Sequence, residues 1–150
     1  MLPITIREMR EDDIADVLSI EIENSPSPWT RVAFYEELCK PHSLVRVAVC
    51  RGKIVGYICA SLVIDEGHIL NLSVHSIFRR MGIAKRLVHD VLSSLREKGC
   101  TKIFLEVRAS NRIAIEVYSK FHFIVTGRRR DYYRNPLEDA ILMEYTFPGE

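Results

Sequence analysis

Apolar positions alternate at Ile4 and Ile6, then change to helical spacing at Ile14, Val17, Leu18 and Ile22, directly after the acidic run Glu11-Asp12-Asp13. This predicts a short strand followed by a helix, because side chains repeat every two residues in a strand and every 3.6 in a helix, and acids favour a helix N-terminus. Thr30 is placed to cap a second helix carrying Phe34, Tyr35 and Leu38. Val45, Val47 and Val49 alternate up to Arg51-Gly52, and a second β-rich run from Ile54 to Ile64 makes a hairpin with it. Asp65-Glu66-Gly67 turns the chain into a fourth strand, His68 to Val74.

The longest apolar stripe, Ile83, Leu87, Val88, Val91, Leu92 and Leu95, predicts a helix stopped at Gly99. A strand over Lys102 to Val107 follows, then a shorter helix from Arg112 to Lys120 with Ile113, Val117 and Phe121 on one face. Two last strands, Phe123 to Arg129 and Ala140 to Thr146, flank a polar loop containing Asn135-Pro136. The order is β-α-α-β-β-β-α-β-α-β-β. Strand, helix, strand in its middle requires a parallel crossover, so the fold class is mixed α/β, a sheet with helices on both faces.

Composition narrows this picture. A chain of 150 residues, 47% hydrophobic and 27% charged, predicts one globular domain over residues 1–150. The 21 Lys and Arg against 20 Asp and Glu give a net charge of +1, so no overall field commits the protein to nucleic acid or an anionic membrane. No apolar run reaches the roughly 18 residues of a membrane span, and Met1 to Glu8 lacks a basic then apolar leader pattern. The expectation is a cytoplasmic protein with no membrane partner. Cys39, Cys50, Cys59 and Cys100 form no C-x-x-C pair, and the five histidines show no ligand spacing, so reduced structural thiols are expected and no metal is implied.

Candidate chemistry concentrates between the fourth strand and the long helix. In Arg79-Arg80-Met81-Gly82-Ile83-Ala84-Lys85, Gly82 lets the backbone approach a ligand, Ala84 keeps the first turn small, and several N–H groups there lack helical partners. Such a turn can hold phosphate, with Arg79, Arg80 and Lys85 adding charge; a tight turn with solvated basic residues accounts for the same composition. The segment matches neither the P-loop nor the dinucleotide fingerprint.

Arg79-x-x-Gly82-x-Ala84 after Asn71-Leu72-Ser73-Val74 resembles the coenzyme A signature of the GNAT acetyltransferases. Leu105-Glu106-Val107-Arg108-Ala109-Ser110-Asn111, followed by Ala114 and Tyr118, is similar to the RimI branch, and the likeness runs from Ile4 to Ala140. The resemblance implies a mostly antiparallel sheet splayed between its fourth and fifth strands. It implies acetyl-CoA as cosubstrate and direct acetyl transfer to a protein or peptide N-terminus, ribosomal protein S18 being the namesake target and archaeal Ard1-like members acting more broadly; the alternatives are transfer to lysine or small-molecule amines, or a coenzyme A-binding module without turnover. By the same resemblance the backbone of Leu72, Ser73 and Val74 pairs with the pantetheine arm, Arg80 to Lys85 wrap the pyrophosphate, and Asn111 contacts the cofactor. The plain reading of Asn111 is a helix cap, and both roles are compatible.

Glu106 matches the family's general base and Tyr118 its general acid, a pair the chemistry needs because the amine sheds protons while the departing thiolate gains one. Read without the resemblance, Glu106 is a strand-end carboxylate paired with Arg108, and Tyr118 a core aromatic. Trp29 and Tyr133 lie in loops that, by resemblance, flank the substrate groove. Glu36 and Glu37 read best as a solvated helix face, and Arg128-Arg129-Arg130 as an exposed rim rather than a nucleic-acid site. Phe121-His122-Phe123 departs from the family's Leu-Gly-Phe; a His122 that takes the left-handed conformation glycine favours costs about 1 kcal/mol.

Overall fold

The computed structural model describes residues 2–149. Strand β1 (Ile4–Glu8) leads through a 3-10 turn at Glu11–Asp13 to helix α1 (Ile14–Asn24) and helix α2 (Arg31–Cys39). Strands β2 (Ser43–Cys50), β3 (Lys53–Val63) and β4 (Glu66–Val74) form a meander. Helix α3 (Ile83–Glu97), strand β5 (Lys102–Arg108), helix α4 (Arg112–Lys120) and the hairpin of β6 (Ile124–Tyr133) and β7 (Glu138–Thr146) complete the fold. The seven strands lie in the order β1-β2-β3-β4-β5-β7-β6, and β4 against β5 is the parallel pair.

The alternation in the strands divides the core between the two faces of the sheet. On one, Ile83, Leu87, Val88, Val91 and Leu95 of α3 and Tyr118 of α4 pack on Ile58, Ala60, Ile69, Ile103, Leu105 and Val107. On the other, Ile14, Val17 and Ile20 of α1 and Phe34 of α2 pack on Val45, Val47, Tyr57 and Cys59. Each large aliphatic side chain so buried is worth about 1.5–3 kcal/mol, and that is what seats α3. Thr30 caps α2 by accepting the Ala33 N–H at 3.1 Å, and Gly99 leaves α3 at φ 86. His122 stands at φ 71, in the left-handed conformation that glycine favours.

Some expectations need correction. β4 begins at Glu66, because the reversal is made at Ile64, at φ 60, and Asp65. β6 continues past Arg129 to Tyr133, so Tyr132 and Tyr133 belong to a strand rather than a loop. Ile22 and Ile113 are exposed. On α1 the inward row is Ile14, Val17, Ile20 and Glu21, about 120° of helix away from Ile22. Glu37 is buried, not solvated: its carboxylate accepts from Lys40 at 3.1 Å and from the Ser43 hydroxyl at 2.5 Å, which satisfies the charge away from water. Glu36 is exposed as expected.

Candidate active site

The parallel ladder runs from Glu66 opposite Lys102 to Ile69 opposite Leu105 and stops there. At the same point the β3 pairing steps from Ala60 opposite Ile69 to Cys59 opposite Asn71, so Leu70 is an extra residue, a bulge that bends β4 away from β5. The His75 N–H donates to the Val55 carbonyl at 2.8 Å, which fixes the alternation: Ser73 and Asn71 spend their backbone groups on β3, whereas Leu72 and Val74 turn theirs toward the opening. Of the predicted trio Leu72, Ser73 and Val74, two therefore present backbone to the gap. The side chain of Asn24, from the end of α1, donates to Ser73 Oγ at 2.6 Å and to the Val74 carbonyl at 2.9 Å.

The loop into α3 has two left-handed residues, Arg80 at φ 63 and Gly82 at φ 78. The first helical bond is from the Arg86 N–H to the Gly82 carbonyl, so the N–H groups of Ile83, Ala84 and Lys85 have no partner within the helix. The first turn carries no acid, and Gly82 supplies no side-chain cap. Ile83 is buried and anchors the turn, while Arg80, Met81 and Lys85 are exposed around it. Arg79 is committed elsewhere: its guanidinium donates to Asn24 Oδ1 at 2.6 Å and to the Val74 carbonyl at 3.4 Å. At the start of α4 the Asn111 side chain caps the helix by accepting the Ala114 N–H at 3.2 Å.

Glu106 projects to the face that carries α1 and α2, opposite to its neighbours Leu105 and Val107. Its partner is His68, with Nε2 at 2.6 Å from Oε2, and not Arg108. His68 is the site residue that sequence reasoning misses; no spacing marks it, because the splayed parallel pair brings it to Glu106 from another strand. Tyr118 lies in the other core, tilted on Phe123 with ring centroids 5.4 Å apart, and burial, with a smaller contribution from Tyr133, pushes its hydroxyl well above the ordinary phenol range. Tyr133 is pushed up to about 12, first by burial and then by Tyr132 and Glu106, against the opposing charge of Arg108. Trp29 packs on Phe34 with ring centroids 5.1 Å apart, and its backbone N–H donates to Glu21 Oε2 at 2.9 Å. Glu21 is buried and also accepts from the Tyr57 hydroxyl and from Asn71 Nδ2.

Two loops meet over this face. Ser27, between α1 and α2, places its hydroxyl 2.7 Å from the Asn135 carbonyl and 3.1 Å from that of Arg134. Arg108 Nη1 donates to the Pro136 carbonyl at 3.0 Å and to Glu138 Oε1 at 3.1 Å, while Nη2 donates to the Arg134 carbonyl at 3.3 Å and to Ser27 Oγ at 3.4 Å. Hydrogen bonds from Ser110, then from Arg108, hold Glu138 below the usual carboxylate range. The arrangement joins an uncapped, basic helix start to a carboxylate–imidazole pair and a buried phenol through a gap in the sheet.

Residues 13–123 match the model of the acetyltransferase (GNAT) family. A Bacillus subtilis (strain 168) protein is 34% identical over 142 residues, 94% of each chain. The N-alpha-acetyltransferase of Saccharolobus solfataricus is 30% identical, with 93% of this chain and 90% of that one covered. The solved structure of the ribosomal-protein-S18-alanine N-acetyltransferase from Escherichia coli superposes with a TM-score of 0.89 at 28% identity, over 99% of this chain and 97% of that one.

Proposed function

Since the chain belongs to the GNAT acetyltransferase family, we propose that it moves an acetyl group from acetyl-CoA to the N-terminal α-amine of a protein. A ribosomal protein or nascent chains are the targets, which makes the setting cytoplasmic. The acceptor class rests on the names of the Escherichia coli and Saccharolobus solfataricus relatives and on the two loops joined through Ser27 and Arg108. Acetyl-CoA supplies the acetyl group as a thioester.

The residues fit that cosubstrate. The free N–H groups of Ile83, Ala84 and Lys85, with Arg80 and Lys85 nearby, receive the pyrophosphate, because unpaired amides and positive charge together bind an anion. Met81 and Gly82 shape that loop, and Arg79 holds it to Asn24. The backbone groups of Leu72 and the N–H of Val74 on the open side hold the pantetheine arm and the thioester oxygen, and Asn111 adds a contact while capping α4. Tyr118 keeps its proton across the physiological range and donates it to the departing sulfur. Glu106 and His68 take the proton from the incoming amine. Trp29 and Tyr133 line the acceptor side.

The bridge of Ser27 and Arg108 across the mouth carries the choice of acceptor. Two loops tied over Glu106 admit a chain end and bar a polypeptide passing through. Charge adds to that bias: at pH 7 roughly one α-amine in ten is neutral, against about one lysine in 2,500. The test is a pair of peptides with one sequence, one with a free N-terminus and no lysine, the other blocked and carrying one internal lysine. The free N-terminus is expected to dominate from pH 6.5 to 9; equal acetylation of the blocked peptide refutes the reading.

A further inference from the structure

The geometry points to Arg108 as the residue that sets this acceptor specificity, a latch that fixes the width of the mouth without touching the reacting atoms. The inference rests on the N-terminal reading above. Arg108 stands two residues beyond Glu106 on β5 and so projects to the same face, with only 12% of its side chain exposed. Its four acceptors come from both walls: the Pro136 and Arg134 carbonyls and Glu138 from the β6–β7 hairpin, and Ser27 from the α1–α2 loop. The guanidinium also lies 4.5 Å from the centre of the Tyr133 ring.

Little else holds that hairpin loop to its neighbour. Arg134, Asn135, Pro136 and Leu137 are exposed and contribute nothing to either core. Ser27 has one proton to donate between two carbonyls. A planar fork of five N–H donors serves separated acceptors and stacks on a ring at once, which a lysine ammonium at the end of a flexible stem does not. Arg108 also carries Tyr133 with it, so the latch orients an aromatic wall of the groove as well as closing it. A loosened loop widens the mouth toward a continuous backbone and loses its grip on a chain end.

Arg108→Lys, Arg108→Met and Ser27→Ala test this with the two peptides above, together with acetyl-CoA affinity by calorimetry and thermal unfolding. In the Arg108 variants acetyl-CoA affinity is expected to hold, because the cofactor elements lie on the opposite face. The KM for the free N-terminus should rise about tenfold or more, and the preference for it over the lysine peptide should fall by a similar factor, as misplacement of a groove wall by a fraction of an ångström does. Ser27→Ala, on an exposed loop, should shift the preference in the same direction by less. Adding it to Arg108→Met should change little further, since both act on one contact. A wild-type protein that lacks the preference refutes the N-terminal reading itself. Wild-type preference that survives unchanged in folded Arg108→Lys and Ser27→Ala overturns the latch alone.

Discussion

Gly82 sits at φ 78, and a Cβ built there meets nothing within 4 Å. The strain of a side chain is therefore conformational, about 1 kcal/mol, while the space it enters is that proposed for the phosphates. Gly82→Val is expected to fold with a small loss of stability and to bind acetyl-CoA at least tenfold more weakly by calorimetry; unchanged affinity would put the phosphates elsewhere. The 2.6 Å contact between His68 and Glu106 makes a second claim at this scale. Removing a positioned acid or base costs about 100 to 10,000-fold in turnover. Glu106→Gln, His68→Gln and Tyr118→Phe should each fall in that range with acetyl-CoA affinity little changed. If His68 and Glu106 work as one unit, the double variant will be no slower than the slower single; multiplied losses in single-turnover measurements would show two independent groups.

Caps and turns connect residues to elements. Asn111 holds the α4 N-terminus through the Ala114 N–H and is also assigned a cofactor contact. Serine caps about as well as asparagine, so Asn111→Ser should keep the melting temperature and lose acetyl-CoA affinity, whereas Asn111→Ala should also lose about 1 kcal/mol of stability. Equal acetyl-CoA affinity in both variants and the wild type would leave Asn111 a cap alone. Asp13 fastens β1 to α1, bonding Arg7 at 2.7 and 3.0 Å and the Arg10 N–H at 2.8 Å, and the Arg7 bonds above all hold it below the usual aspartate range. Its stabilisation is complete above the unfolded value of about 3.9 and is lost as pH falls through the lower folded value. Asp13→Asn should therefore cost about 1 kcal/mol near neutrality, a deficit in urea titrations that shrinks below pH 4. These elements were legible from the sequence because periodicity, Thr30 and Gly99 act locally. Glu21 and Glu37 were not, since a buried carboxylate reads as a surface one until Tyr57, Asn71 and Trp29, or Lys40 and Ser43, are seen around it. His68 and Ser27 escaped for the same reason: their meaning lies in partners 38 residues away or in a loop across the sheet.

Among the described residues the sheet is a partition that opens where β4 leaves β5. The basic start of α3, the cap at Asn111 and Tyr118 belong to the side of α3 and α4, whereas Glu106, His68, Tyr133 and the Arg108 latch face the side of α1 and α2. On the proposed function, two substrates arriving from opposite faces would occupy the gap together, with neither having to leave for the other to bind. A relay through an acetylated cysteine has no suitable group. Cys50, Cys59 and Cys100 are buried, burial pushes the Cys59 thiol well up, and Cys39 is exposed on α2. The proposed route is therefore direct attack by the amine on the thioester, with a rate that depends on both concentrations at once. Initial rates measured against acetyl-CoA at several fixed peptide concentrations should give intersecting double-reciprocal lines. Parallel lines, the mark of a covalent intermediate formed before the second substrate binds, would contradict the two-sided geometry. Replacing Cys39 with alanine should leave both the pattern and the rate unchanged, because its thiol is exposed at the end of α2 beside Tyr35; a collapse of activity in that folded variant would restore the cysteine route.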